Sequence, residues 1–286
     1  MLVIHHNDLD GLSSAAIVYK AYRETVIKDS YIDFFEADYD KEIPLDKIHK
    51  DEDVYIVDFS LKPAMMNKLL KITKNIIWID HHKTALEYEK DYESNIDGYR
   101  VVEDQRMAGC ELTWDWFYPE LPYPDVVKYI GDFDKWAWKY RGVTEYYKEG
   151  LYVRGTNPTN DLWIVLLDPL CKDYTFYNTS IIADGKICKQ YRDNIFRQYV
   201  DNFGFETEFE GYKCFAAGLY MFGSEVFGDK IKDYEMLISF EYEGAKYLIG
   251  LYSQTIDVSR ICQKYGGGGH TGAGGFTCKT LPFVKD

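Results

Sequence analysis

The sequence predicts an α/β protein. An N-terminal domain on a parallel sheet, with helices on both faces, is joined by a helical linker to a smaller α/β domain. Three observations carry this reading. Short β-branched strands alternate with helical segments through the first half of the chain. A long polar segment with recurring apolar positions follows, and after Gly204 the texture changes to strand-like runs ending in a glycine-rich stretch. The length of 286 residues also exceeds what one core usually needs.

The elements follow in order. Leu2 to His5 is an apolar run that ends in a polar loop and reads as a strand, and Ser13 to Tyr22 reads as a helix with Ser13 and Ser14 as N-caps. Ile32 to Ala37 gives a second strand, and Val54 to Val57 a short β-branched third. Pro63 suits a first helical position, and that helix runs to Leu70. Ile76 to Ile79 is another strand, and Cys110 to Tyr118 and Asp125 to Ile130 read as helices. Between 177 and 202 the apolar positions Ile181, Ile182, Ile187, Tyr191, Ile195 and Tyr199 mark the connecting helix, with Gly185 weakening its early turns. Cys214 to Leu219, Tyr234 to Tyr242 and Lys246 to Tyr252 are strands. Gly244 turns the last two into a hairpin, and Val258 to Tyr265 is a helix before a glycine-rich loop. The expected boundaries are 1–175, a connecting helix over 176–204, and 205–286.

Composition narrows the function. A formal net charge of −14 disfavours a protein that tracks along duplex or other long nucleic acid, which needs a basic surface to displace counterions. A small anion held by metals suits this charge better. Aromatic residues make up 17% of the chain, mostly through 26 tyrosines, and can fill cores or stack on bases. No apolar run is long enough for a bilayer, and Asp8 and Asp10 fall where a signal peptide would be apolar, so a cytoplasmic protein with no membrane partner is expected. A homodimer is compatible with the sequence. The cysteines at 110, 171, 188, 214, 262 and 278 form no CxxC pair and read as buried thiols.

Ligands of an open parallel sheet bind beyond the carboxyl ends of its strands. Three of the strands end there in acids and imidazoles: the first in His6, Asp8 and Asp10, the third in Asp58, the fourth in Asp80, His81 and His82. Asp132 and Asp134 close a helix further on. Each group alone has an ordinary explanation as a turn or a helix cap. Together they would repel one another unless cations neutralised them, so metal binding is the economical solution. Carboxylate and imidazole without thiolate suit Mn²⁺ or Mg²⁺, with Co²⁺, Fe²⁺ or Zn²⁺ open, and there are ligands enough for two ions. A water bridging two cations has a depressed pKa and could attack phosphorus as hydroxide.

HNDLDG, IVDF, IDHHKT and GDFD, in that order, resemble the four motifs of the DHH phosphoesterase superfamily. GGGGHTGAGGF resembles the signature of its DHHA1 companion domain. Within the superfamily, HNDLDG and DHHKT are most similar to the NrnB-like oligoribonucleases. The resemblance implies a DHH domain followed by a DHHA1 domain. It also implies one metal on His6, Asp8 and Asp58, and a second on Asp10, Asp58, His81 and Asp132. His5 competes with His6, and Asp134 with Asp132. Asp58 would bridge the ions. His82 would face the substrate and donate to a phosphoryl oxygen or assist the leaving group, with Asp80 orienting the imidazoles. Gly267, Gly268, Gly269 and His270 would hold the part of the substrate remote from the cut. Arg260 and Arg106 are weaker candidates, as are Ser253, Gln254 and Lys83. The WAW segment at Trp136 to Trp138 reads as core packing rather than a base platform.

Three functions follow from this. The first is a two-metal, Mn²⁺-type phosphodiesterase that degrades short oligoribonucleotides (nanoRNA) to mononucleotides through a metal-bridging hydroxide. The second keeps the metals but acts on 3′-phosphoadenosine 5′-phosphate, or on linear or cyclic dinucleotides. The third is a non-catalytic nucleotide sensor, which the complete ligand set disfavours.

Overall fold

The computed structural model describes residues 1–25, 31–38, 41–100, 107–155 and 157–283, without the side chains of 83, 84, 221 and 270. The chain divides into two compact units, Met1–Lys189 and Gln190–Asp286. Both are α/β, as the sequence predicts.

In the first unit the elements run β1 (Leu2–His6), α1 (Leu9–Thr25), β2 (Asp33–Ala37), β3 (Val54–Val57), α2 (Pro63–Ile72), β4 (Ile76–Ile79), α3 (Lys83–Glu89), α4 (Gly109–Phe117), α5 (Asp125–Asp134), α6 (Val143–Arg154) and α7 (Asp161–Leu166), and α8 (Tyr174–Phe203) belongs to the first unit as far as Lys189 and to the second from Gln190. The sheet has four parallel strands in the order β2-β1-β3-β4. Side chains alternate across a strand, and here both faces are covered. Leu2, Ile4, Val54, Ile56, Ile76 and Trp78 pack against Met66, Leu69 and Leu70 of α2. Val3, Val57 and Ile79 point the other way, onto Ala15 and Val18 of α1 and Leu112 of α4. This two-sided burial explains why the strands read as unbroken apolar runs.

A helical core adjoins the second face. There Leu9, Leu12, Ala16 and Ile17 meet Trp114, Val126, Val127, Ile130, Tyr147, Leu151, Trp163 and Ile181. Helices α6 and α8 touch through glycines: a Cβ on Gly150 would lie 2.0 Å from the Ile181 carbonyl oxygen, and one on Gly185 would lie 1.6 Å from that of Tyr146. Gly185 is therefore a packing residue within a continuous helix.

The N-cap expectation for α1 needs correcting. The helix begins at Leu9, and Ser13 and Ser14 are buried inside it with hydroxyls that find no partner among the described residues. Asp8 is the cap. Its Oδ1 accepts the Gly11 N–H at 2.9 Å and its carbonyl accepts that of Leu12 at 3.0 Å.

The second unit adds β5 (Phe205–Phe209), β6 (Tyr212–Ala217), β7 (Met236–Tyr242), β8 (Tyr247–Tyr252), α9 (Val258–Lys264), β9 (Gly268–His270) and β10 (Ala273–Cys278). They form a six-stranded mixed sheet in the order β5-β6-β7-β8-β10-β9. Only β6 and β7 pair in parallel. Val258, Ile261 and Cys262 of α9 cover one face, and Phe196 and Val200 of α8 cover the other. The glycine run is not wholly a loop: Gly268 and Gly269 enter the edge strand β9. No helix among the described residues is long and apolar enough to cross a membrane.

Candidate metal centre

Parallel strands end side by side, so β1, β3 and β4 deliver their following residues to one edge of the sheet. His6 Nδ1 lies 2.7 Å from Asp8 Oδ2 and 3.8 Å from Asp58 Oδ2. His81 Nε2 lies 3.2 Å from Asp58 Oδ1, 3.7 Å from Asp10 Oδ2 and 3.5 Å from Asp134 Oδ2. Three sets of donor atoms are each close enough to hold one ion: His6, Asp8 and Asp58; Asp10, His81 and Asp134; and Asp58, His81 and His82. Asp58 therefore belongs to the groups on both sides of the cluster.

Local structure fixes these side chains. Asp58 sits in the left-handed region at φ 52°, where Asp is tolerated better than bulkier residues. Asp10 accepts the Gly109 and Cys110 N–H groups at 2.6 and 2.8 Å, so the start of α4 holds its carboxylate in place. Gly109 has to be glycine, because a Cβ there would stand 2.6 Å from the Cβ of Asp58. Asp80 is fully buried. Its Oδ1 accepts from His81 N at 2.7 Å and lies 2.7 Å from His82 Nδ1, while the Ser60 hydroxyl donates to Oδ2. This fixes the His82 ring with its Nε2 turned away from Asp80. Gly109 and Ser60 escaped the sequence reading, since neither lies in a motif and both act through distant parts of the chain.

Electrostatics show how tightly the acids of this cluster are crowded. Burial, and then the charges of Asp10, Asp8, Asp134 and Asp80, push the Asp58 pKa well above the carboxylate range. Burial, Asp10 and Asp8 do the same to Asp134. Burial also acts upward on Asp8, but the His6 hydrogen bond and charge outweigh it and hold it at about 2. For His82, burial acts downward and the bond and charge of Asp80 prevail, raising it to about 9. Both carboxylate oxygens of Asp58 and Oδ2 of Asp134 are buried without a hydrogen-bond donor among the described residues. Buried acceptors of this kind are costly until something positive meets them. The oxygen and imidazole donor set fits hard divalent cations.

One expected ligand faces elsewhere. The Asp132 carboxylate accepts N–H groups from Lys139 at 2.7 Å and Tyr140 at 3.2 Å, together with the Thr144 hydroxyl. It braces the turn after α5, and Asp134 stands beside Asp10 and His81 in its stead. His5, the competitor of His6, is buried with Nδ1 2.7 Å from the His6 carbonyl oxygen and joins none of the donor sets. The WAW segment departs from core packing as well, because Trp136 is 69% exposed.

The proposed substrate residues of the second unit have structural duties of their own. Gly266 and Gly267 close α9 by bonding to the carbonyls of Gln263 and Cys262 at 3.1 and 2.9 Å, the Schellman pattern. A Cβ on Gly267 would meet Gly275 and Phe276, and one on Gly269, at φ 140°, would meet Gly274. Gly268 has open space. Arg260 is largely exposed and pairs with Asp257 at 3.2 Å. Ser253 spends its hydroxyl on Glu235, Thr255 and Ile256. Arg106 and the side chains of His270 and Lys83 lie outside the described residues.

Comparison with known proteins bears on the fold. Residues 1–129 match the family described as the DHH family, N-terminal domain. The uncharacterized protein R106 of Acanthamoeba polyphaga mimivirus is 25% identical over 99% of this chain and 70% of its own length. Among solved structures, the DHH domain of a member of a family of ribosomal proteins matches with TM-score 0.58 at 14% identity, over 97% of this chain and 82% of that one. The pGpG-specific phosphodiesterase PggH of Vibrio cholerae matches with TM-score 0.54 at 12% identity, over 97% and 93%. Thermus thermophilus RecJ in complex with Mn²⁺ matches with TM-score 0.53 at 14% identity, over 97% of this chain and 49% of that longer one.

Proposed function

We propose that this chain, whose residues 1–129 match the DHH family N-terminal domain, is a DHH-type phosphoesterase that hydrolyses short oligoribonucleotides to mononucleotides as a two-metal, Mn²⁺-type phosphodiesterase. The observation that carries the proposal is Asp58, buried, shared by two donor sets and facing the imidazoles of His6 and His81 with no hydrogen bond to either carboxylate oxygen among the described residues. His6, Asp8 and Asp58 would hold one ion, and Asp10, Asp58, His81 and Asp134 the other. Bound there, the pair would supply a nucleophile at neutral pH and neutralise charge on the transferring phosphoryl group. His82 is kept in place by Asp80 and donates to a phosphoryl oxygen or to the departing oxygen. The second unit, read as a DHHA1 domain, would bind nucleotide through Gly268, His270 and neighbouring residues.

The net charge of −14 supports a short substrate over a long polymer. Likeness to a pGpG-specific phosphodiesterase supports placing linear dinucleotides within the accepted range. 3′-Phosphoadenosine 5′-phosphate and cyclic dinucleotides are the alternative substrates.

The test incubates metal-stripped protein with an end-labelled pentaribonucleotide, a dinucleotide, a cyclic dinucleotide and the bisphosphate, with and without Mn²⁺, beside Asp58→Ala. Shortening of the RNA to mononucleotides that needs both Mn²⁺ and Asp58 supports the proposal. Turnover of the bisphosphate or the cyclic dinucleotide alone replaces the substrate, and binding without turnover in any metal turns the protein into a sensor.

A further inference from the structure

Resting on the phosphodiesterase reading, we propose that Trp136 is a stacking platform for a nucleobase of the substrate, presented beside the metal centre by a turn that Asp132 braces. Trp136 follows Asp134 by two residues, a reach of at most about 7 Å between their Cα atoms. Asp134 itself lies 3.5 Å from His81. The backbone that carries the ring therefore lies within about one nucleotide's span of Asp134.

The ring is offered to solvent and not folded away. Trp136 is 69% exposed, although the α5 and α6 helices beside it bury other large side chains. An exposed ring of this size forgoes the burial that usually justifies a tryptophan. Its backbone lies at φ 53°, and so does that of Trp138, a conformation bulky residues rarely adopt. Such outliers persist only where the surroundings enforce them and gather at ligand sites.

The enforcing group is visible. Asp132, only 4% exposed, spends its carboxylate on the backbone of Lys139 and Tyr140 and on Thr144, and its carbonyl accepts the Ala137 N–H at 3.1 Å. A buried acid thus shapes the segment that carries both tryptophans. Trp138 supports Trp136 edge to face at 5.9 Å and is itself packed on Phe133 at 5.9 Å. This backing stiffens the platform while leaving Trp136 open. Every base has a π face, so such a surface grips nucleotides with little sequence preference, as a scavenger of mixed fragments requires.

The test uses the full chain loaded with Mn²⁺ and measures calorimetric binding of adenosine 5′-monophosphate and of ribose 5-phosphate, with turnover and KM for a diribonucleotide. Trp136→Ala should weaken the adenosine monophosphate by about tenfold and leave ribose 5-phosphate as it was. It should raise the diribonucleotide KM more than it lowers kcat, and Trp136→Phe should restore most of the affinity. If the wild type turns over the diribonucleotide and Trp136→Ala binds the nucleotide equally well, the platform is overturned and the hydrolase reading stands. If no turnover occurs but the difference in nucleotide affinity does, the platform stands and the hydrolase reading falls. Unchanged affinity with conversion of a dimer to a monomer makes Trp136 a subunit contact and overturns the proposal.

Discussion

The carboxylate of Asp10 accepts the backbone N–H of Gly109 at 2.6 Å, tying the first turn of α1 to the start of α4. The same glycine leaves no room for a side chain against Asp58. Replacing Gly109 with alanine should therefore push the shared ligand out of place. We expect a loss of about 1–3 kcal/mol in urea unfolding and weaker Mn²⁺ binding by calorimetry. Wild-type affinity in Gly109→Ala would show that the contact does not matter to the metal centre.

Asp132 and Asp134 should part company in mutagenesis. Asp134→Asn is expected to cut Mn²⁺ affinity and turnover by about 10-fold or more, because a donor is lost from the cluster. Asp132→Ala should keep Mn²⁺ binding but lower stability by about 1–3 kcal/mol, since the N–H groups of Lys139 and Tyr140 lose their acceptor. The opposite pattern would return Asp132 to the ligand set.

Asp80 touches no ion in the proposed arrangement, yet it holds His82. Asp80→Asn should lower kcat by about 10–100-fold with Mn²⁺ stoichiometry unchanged in a metal assay of the dialysed protein. Ser60→Ala, which removes the other brace on Asp80, should give a smaller loss in the same direction. Full activity in both variants would sink the orienting role.

The metal-stripped protein should lose stability as pH rises. Burial and neighbouring acids raise the Asp58 and Asp134 pKa values, so the folded state keeps protons that the unfolded chain gives up above the ordinary carboxylate range. His82 works in the same sense: its contribution is complete below about 6.5, the unfolded value, and fades as pH passes its folded value of about 9. Tm measured without metal should fall from mildly acidic to mildly alkaline pH, and Mn²⁺ should flatten the slope. A metal-free Tm that climbs over that range would contradict the crowding of acids described here.

Much of this site is readable in the sequence, because parallel strands carry whatever follows them to one edge. HNDLDG after β1, Asp58 after β3 and Asp80-His81-His82 after β4 need no knowledge of long-range packing. The choice between Asp132 and Asp134 does. Two residues apart on α5, they point about 200° away from each other, and only the helix's rotation decides which one meets His81. Ser13 and Ser14 mislead for a related reason: Asp8 already caps the helix, so they fall inside it. β9 and β10 are hidden by their glycines, which have no side chains to signal a strand; at Gly269, Gly274 and Gly275 a neighbouring strand approaches too closely for a Cβ.

The shared position of Asp58 has a consequence for the lifetime of the protein in a cell. With cations bound as proposed, the ends of three strands and the end of α5 are fastened at one point, much as a removable cross-link would fasten them. Withdrawing the metal unfastens segments far apart in the chain and sets their acids against each other. Manganese scarcity is then expected to do more than stop turnover. It should shift the molecule toward opened forms that proteases cut, so that its abundance would follow the supply of its ion.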